Sequence, residues 1–226
     1  RKGDSFSLIH EAFYLDGKKI KNGHILAADF RNRDNDHRAV RYTNPKGDSD
    51  YFTPEGNSVR KAFIRKPLNY RRISSYFSRG RIHPILGIRR PHLGVDFSAR
   101  VGTPIKAAGD GKIIFRGRKG GYGKTVILKH GSIYSTLYGH MSRFARGIRN
   151  GKRVKQGQVI GYVGNTGLST GPHLHYEFRV NGIHKNPLRV KFPSANPVAK
   201  ANRQDFFSKT TSLIAQLESS QKTLLA

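Results

Sequence analysis

The sequence predicts a mainly β protein: an antiparallel β-sheet domain, preceded by a smaller β-rich domain and followed by a helix. Three observations support this. The 226 residues include 25 glycines and 10 prolines, which indicate many turns between short strands. Apolar and polar residues alternate with a period of two in several segments. Strand-like and helix-like segments do not alternate along the chain, which argues against a parallel α/β sheet.

Residues 1–67 are predicted to form a β-rich accessory domain of short strands. Residues 6–10 and 12–15 are strand-like, and the following Asp16-Gly17 pair is typical of a hairpin turn. The region contains no constellation of catalytic side chains. A boundary is expected near Pro67, because the sequence then becomes strongly basic and glycines become frequent.

Residues 68–192 are predicted to form the main antiparallel domain. Turn signals such as Gly-Tyr-Gly, Asn-Gly and Asn-Thr-Gly separate its strands. The strand candidates are 92–97, 111–115, 124–130, 133–140, 159–163 and 173–180.

Residues 193–226 are predicted to form a tail with an amphipathic helix that packs on a domain. Spacing close to the helical period places five residues on one face. They are Phe206, Thr210, Leu213, Leu217 and Leu224. Asn202 and Asp205 are suitable capping residues for its start.

The charge balance indicates a polyanionic partner. The chain has 42 basic and 14 acidic residues and a formal charge of +28, and residues 56–176 contain only two acids, Asp96 and Asp110. Such a field attracts nucleic acid, an anionic membrane surface or a carboxylate-rich cell-wall polymer. The sequence contains no cysteine, which excludes disulfides and thiolate metal sites. No stretch has the ~20 apolar residues of a membrane span, so no transmembrane segment is expected.

The residues with the clearest chemical meaning are histidines on predicted strands. From His173 to Val180 the polar side chains of His173, His175 and Glu177 alternate with apolar ones, so two imidazoles share the open face of one strand. Around the 92–97 candidate, His92 and Asp96 are four residues apart and are predicted to share one face. Taken alone, Asp96 is equally compatible with an ion pair to a nearby arginine.

Two histidines and one carboxylate, with water in a fourth position, form a typical catalytic zinc site. His92, Asp96 and His175 can supply those ligands, leaving His140 and His173 to act on the water and the substrate. Magnesium and calcium require more oxygen ligands than this acid-poor region offers. The spacing predicts a zinc hydrolase but does not by itself assign each histidine.

Together these motifs resemble the lysostaphin-type, or LytM-domain, zinc endopeptidases. The resemblance covers residues 74–187. It is carried by His92-x-x-x-Asp96, by Tyr138-Gly139-His140, and by the run from Asn165 to His175. It implies one Zn²⁺ per chain bound by His92, Asp96 and His175, with His140 and His173 as the catalytic histidines.

The resemblance also implies a function and a location. The family cleaves peptides of bacterial peptidoglycan, so the expected partners are its stem peptides, and the expected location is the periplasm or the extracellular envelope. Residues 6–11, 25–30 and 60–68 resemble the accessory domain of Gram-negative members, which are D,D-endopeptidases acting on direct crosslinks.

Three alternatives remain at this point. One is a bacteriolytic endopeptidase that cuts glycine bridges, and a second is a non-hydrolytic LytM module that regulates other wall hydrolases. The third is a nucleic-acid-binding protein, which only the charge supports, because no nucleic-acid-binding motif is present in the sequence.

Overall fold

The computed structural model describes residues 4–32, 35–82 and 87–224. The chain divides into two compact units, Arg1–Lys61 with Ser194–Ala226, and Ala62–Pro193. Both consist mainly of antiparallel strands, which confirms the predicted fold class. Among the described residues, no helix combines the length and the apolar character needed to cross a membrane.

The first unit contains a four-stranded antiparallel sheet in the order β1-β2-β3-β4. Its strands are β1 (Ser5–Leu15), β2 (Lys18–Asn32), β3 (Asn35–Thr43) and β4 (Ser49–Phe52). Asp16 and Gly17 both have positive φ, 49° and 75°, as a tight hairpin turn requires, so the predicted turn is confirmed.

The prediction of short strands in this region was wrong for β1 and β2, which contain 11 and 15 residues. Gly23 lies within β2, beside an irregularity in its pairing with β1. A Cβ at Gly23 would lie 2.6 Å from the Cβ of Glu11. Glycine is therefore needed here for the close approach of two strands.

The C-terminal helix α1 (Arg203–Leu224) packs against the sheet of this unit. Phe206, Thr210 and Leu217 are fully buried, and Leu213 packs beside them, so the predicted apolar face is confirmed for these four residues. The side chain of Leu224 lies outside the described part. The hydroxyl of Tyr42 on β3 donates a hydrogen bond of 2.6 Å to Asp205 in the first turn of the helix.

The second unit has a larger antiparallel sheet, with the strand path β13-β10-β11-β12-β15-β8-β5. In addition, β14 pairs with β12 and β9, β16 pairs with β15, and β6 and β7 form a separate ribbon. The strands are β5 (Arg72–Ser75), β6 (Ser78–Ile82), β7 (Arg89–His92), β8 (Val95–Ser98), β9 (Pro104–Lys106), β10 (Gly111–Arg118), β11 (Lys124–His130), β12 (Tyr134–Phe144), β13 (Arg153–Val154), β14 (Val159–Val163), β15 (His173–Val180) and β16 (Ile183–Lys185).

Five of the six predicted strands of this unit are present, and β15 has the predicted bounds. On β15, Leu174, Tyr176 and Phe178 are fully buried. Because side chains alternate across a strand, His173, His175 and Glu177 lie on the opposite face.

The sixth predicted strand, 92–97, is interrupted. Strand β7 ends at His92, and β8 begins at Val95. His92 therefore belongs to the small ribbon, and Asp96 to the main sheet. The predicted shared strand face of His92 and Asp96 was wrong, although the bend at Leu93 and Gly94 still brings the two side chains together.

Candidate metal centre

Three potential ligand atoms converge where β7 meets the main sheet. Asp96 and His175 are directly opposite each other in the antiparallel β8–β15 pair. Oδ1 of Asp96 lies 3.0 Å from Nε2 of His92 and 2.8 Å from Nδ1 of His175, and the two nitrogens are 3.2 Å apart. All three residues are buried. The sequence separation of 79 residues between Asp96 and His175 is thus closed by strand pairing. The bend at Leu93 and Gly94 brings His92, which is 83 residues from His175, to the same point.

The donor set fits a zinc ion. Zinc bonds of about 2.0–2.2 Å in a tetrahedron place ligand atoms roughly 3.3–3.5 Å apart, slightly beyond the observed spacing. A small outward movement of these side chains would give that geometry. Two imidazoles and one carboxylate leave a coordination position open, as in catalytic rather than structural zinc sites.

Hydrogen bonds orient both candidate ligand histidines. Nδ1 of His92 lies 2.9 Å from the carbonyl oxygen of Tyr76, which can only accept, so Nδ1 carries the proton and Nε2 faces the cluster. Nε2 of His175 lies 3.1 Å from Oε1 of Glu177, which leaves Nδ1 facing the cluster. In its neutral form, which is the form that binds metals, each ring presents a nitrogen lone pair to the same point.

The electrostatic surroundings are those of a buried anion between imidazoles. Burial by itself raises the pKa of Asp96, but hydrogen bonds from His175 and His92 outweigh it and hold that pKa far below its usual range. Burial lowers the pKa of His175, whereas hydrogen bonds to Asp96 and Glu177 raise it, with a net value of about 9. The cluster therefore already favours positive charge next to Asp96, as a cation site requires.

His140 and His173 form a second pair beside this cluster, with ring centroids 4.6 Å apart. Nδ1 of His140 donates to the carbonyl oxygen of Thr166 at 2.7 Å, and Nδ1 of His173 donates to that of Gly171 at 2.8 Å. In the neutral form of either ring, Nε2 is therefore the acceptor. Burial lowers the pKa of His140 to about 4, so its imidazole is neutral near pH 7.

The backbone at His140 is held in an uncommon conformation, with φ of 58°. Non-glycine residues rarely adopt positive φ, and functional sites are where such strain is concentrated. Here the conformation coincides with the end of the regular β12–β15 pairing, whose last pair is Gly139 and His175.

The five histidine and aspartate residues line an open groove with a volume of about 330 Å³. Its walls include Arg90, Tyr122 and residues 168–170. The structure thus brings together all five site residues predicted from the sequence. The sequence indicates only a Gly-Tyr-Gly turn at Tyr122, yet both Tyr122 and His184 donate hydrogen bonds to Glu177. Neither has a local pattern that indicates this role.

Gly94→Ala is expected to weaken metal binding at least tenfold. A Cβ at this position would lie 2.7 Å from Cε1 of His175 and 2.7 Å from the carbonyl oxygen of Tyr176, so the ligand ring must move. Metal affinity would be measured by competition with a chromophoric zinc chelator. Gly171→Ala is the matched control, because its added methyl group enters open space near the same site. Equal affinities in the two variants would contradict the prediction.

Two histidines and an aspartate in a groove, flanked by two further imidazoles, define a mononuclear metal site of the metallohydrolase type. Residues 90–187 match the model of Peptidase family M23. The chain belongs to this family through that domain, which confirms the resemblance to lysostaphin-type enzymes.

Proteins similar to this chain are known from bacteria. It is 41% identical to the peptidoglycan DD-endopeptidase ShyC of Vibrio cholerae. That match covers 100% of this chain and 51% of ShyC. The chain is 40% identical to the DD-carboxypeptidase/endopeptidase Mpg of Neisseria meningitidis, covering 96% of this chain and 51% of that protein. The chain therefore spans about half the length of these relatives.

Among solved structures, a zinc-containing peptidase from Vibrio cholerae matches with a TM-score of 0.56 and 33% identity. The match covers 84% of this chain and 57% of that one.

Proposed function

We propose that this chain is a zinc-dependent endopeptidase that hydrolyses peptide crosslinks of bacterial peptidoglycan. The activity resides in the peptidase domain of residues 68–192, with His92, Asp96 and His175 as ligands of one zinc ion. The observation that carries the proposal is the convergence of three buried ligand atoms beside two oriented imidazoles in a groove. Relatives named as peptidoglycan endopeptidases support the substrate class.

The chain's own residues supply the remaining chemistry. When bound, zinc is a Lewis acid that lowers the pKa of a water molecule to roughly 7. His140 is neutral at that pH, and its Nε2 accepts a proton as a general base. A protonated imidazole next to it stabilises the negative charge that develops on the scissile carbonyl oxygen. His173 fits that role, because Gly171 and Ser169 fix its Nδ1 side.

The preferred substrate is the direct crosslink between stem peptides, cut as a D,D-endopeptidase. The names of the relatives favour it over a glycine bridge. Arg90 on the groove wall adds a positive charge that suits a substrate bearing free carboxylates. The alternative of a non-hydrolytic regulatory module is disfavoured, because all three ligands and both further histidines are present and face the groove.

A test of this function is digestion of two purified peptidoglycans, one with direct crosslinks and one with glycine bridges, analysed by mass spectrometry. We expect loss of crosslinked dimers from the direct-linked wall, abolished by a chelator and restored by zinc. Cleavage of the glycine-bridged wall alone would replace the D,D assignment with a bridge-cleaving one. Zinc binding without cleavage of either wall would support the regulatory module.

The second unit also has a cationic surface suited to an anionic wall polymer. Lys112, Arg116 and Arg118 are exposed on β10, and Lys112 is directly opposite Arg153 of β13. Like charges facing each other across strands are unfavourable without a counterion. Residues 98–176 supply one acid, Asp110. In the periplasm or outside the cell, such a surface would bind the enzyme to the anionic wall polymer.

Reversal of two of these charges, Arg116→Glu with Arg153→Glu, is expected to reduce cosedimentation with purified peptidoglycan severalfold at low salt. Wild-type binding should itself fall as salt rises, because screening weakens exposed charge interactions. The control is Lys18→Glu with Lys19→Glu, which makes the same charge change on the exposed β1–β2 hairpin. Equal losses in both double variants would show that net charge, not this surface, determines binding.

A further inference from the structure

A buried carboxylate lies directly behind the candidate ligand His175. Glu177 is 1% exposed. Its Oε1 accepts hydrogen bonds from Nε2 of His175 at 3.1 Å and from the hydroxyl of Tyr122 at 2.7 Å. Its Oε2 accepts from Nε of Arg179 and from Nε2 of His184, both at 3.0 Å. Nη2 of Arg179 also donates to Oε2. Oε1 therefore has two donors and Oε2 three, and the carboxylate cannot rotate without losing several bonds at once.

We infer that Glu177 is a positioning residue that determines which nitrogen of His175 faces the zinc ion. The inference rests on the proposed function through the assignment of His175 as a ligand. A neutral imidazole carries one N–H group, on either nitrogen. Because Glu177 accepts at Nε2, the proton stays there, and the lone pair of Nδ1 faces Asp96 and His92. Carboxylates behind ligand histidines commonly have this effect on metal affinity.

The same carboxylate connects the ligand to the groove wall. Tyr122 lines the groove, and its ring centroid lies 5.4 Å from that of His175. Since its hydroxyl donates to Oε1 of Glu177, the ring and the ligand imidazole share one anchor atom. Arg179 and His184 hold the opposite oxygen.

A simpler interpretation is that Glu177 is only half of a buried ion pair with Arg179. If the ion pair is purely structural, removal of the Glu177 charge would change the free energy of unfolding, because the other charge of the pair would lose its partner. Such an ion pair would not determine which ring nitrogen binds zinc. The two interpretations therefore differ in zinc affinity and in the protonation of the His175 ring.

The decisive variant is Glu177→Gln, which preserves shape but replaces one acceptor with a donor. If the amide oxygen faces His175, the amide NH₂ group faces the donors of Arg179 and His184. If the NH₂ group faces His175, it donates to Nε2 and favours the proton on Nδ1, the nitrogen needed for zinc. The second orientation opposes the arrangement in which Nδ1 binds the metal. The first preserves that arrangement, but it places the NH₂ group against the donors of Arg179 and His184.

We expect Glu177→Gln to weaken zinc binding 10–100-fold, measured on the whole chain by chelator competition without substrate. Asp110→Asn is the matched control, since it makes the same acid-to-amide change on an acid of the same unit outside the groove. Urea unfolding of both variants separates a loss of stability from a loss of zinc. A Glu177→Gln variant with wild-type zinc affinity would overturn the inference.

The wild-type chain provides a second test that does not depend on any variant folding. In ¹⁵N spectra of the zinc-loaded protein, His175 should show zinc on Nδ1 and a solvent-protected proton on Nε2. Zinc on Nε2, or no protected proton, would overturn the inference. Failure of the wild-type chain to bind one zinc ion would instead refute the ligand assignment itself, so the two failures are distinguishable.

Discussion

Replacing Asp96 with alanine is expected to abolish zinc binding and peptidoglycan cleavage together. Its Oδ1 contacts the metal-facing nitrogens of both His92 and His175, so the substitution removes one ligand and the anion that attracts the cation. Two imidazoles alone form a much weaker site for zinc, which takes three protein ligands in catalytic centres. The same joint loss is expected for His92→Ala and His175→Ala.

The measurement is zinc content after dialysis against a fixed free-zinc buffer, with cleavage of crosslinked dimers assayed in the same samples. Asp110→Ala is the control. It removes an acid of the same unit that accepts a hydrogen bond from the backbone of Gln156 and does not line the groove. Circular dichroism would establish that both variants are folded. An Asp96→Ala chain that kept one zinc ion and normal turnover would refute the proposed ligand set.

Replacing His140 or His173 with alanine should reduce kcat/KM 10²–10⁴-fold but, unlike the ligand substitutions, should leave zinc bound. That range is the usual contribution of a positioned general acid or base. Neither ring is within the three-atom cluster, and both are held by backbone carbonyls instead. The loss should appear mainly in kcat, because the proton transfer is made only in the transition state.

The positive φ of His140 requires a second variant, since a defect in the backbone would also reduce activity. Asn tolerates the left-handed region, so His140→Asn keeps the local conformation without a titratable ring. His24→Ala, on the exposed β1–β2 hairpin, is the histidine control. Full turnover in either His140 variant would remove this residue from the catalytic mechanism.

The sequence predicts much of the site because its signals are local. The alternation on β15 identifies which side chains share the face of His175, and that face is the one observed. Identifying the ligand set also required similarity to a known family, because local alternation does not specify which strands pair. The opposition of Asp96 and His175 depends on the register of β8 and β15, which are far apart in sequence.

Other features have no local signal. The need for glycine at position 94 comes from the close approach of His175, which is distant in the chain. The hydrogen bonds of Tyr122 and His184 to Glu177 likewise depend on tertiary packing. The length of β2 likewise depends on its pairing with β1, which continues past Gly23. Each of these features is determined by contacts between residues that are distant in sequence.

The packing of α1 on the first sheet has a consequence for biosynthesis. The apolar face formed by Ala27, Val40 and Tyr42 is covered by Phe206 and Leu217, which the ribosome adds more than 150 residues later. The second unit is one continuous segment and is complete when Pro193 emerges. The unit that begins first during translation therefore finishes last. A polypeptide truncated after residue 193 would leave the sheet of the first unit exposed to aggregation or proteolysis.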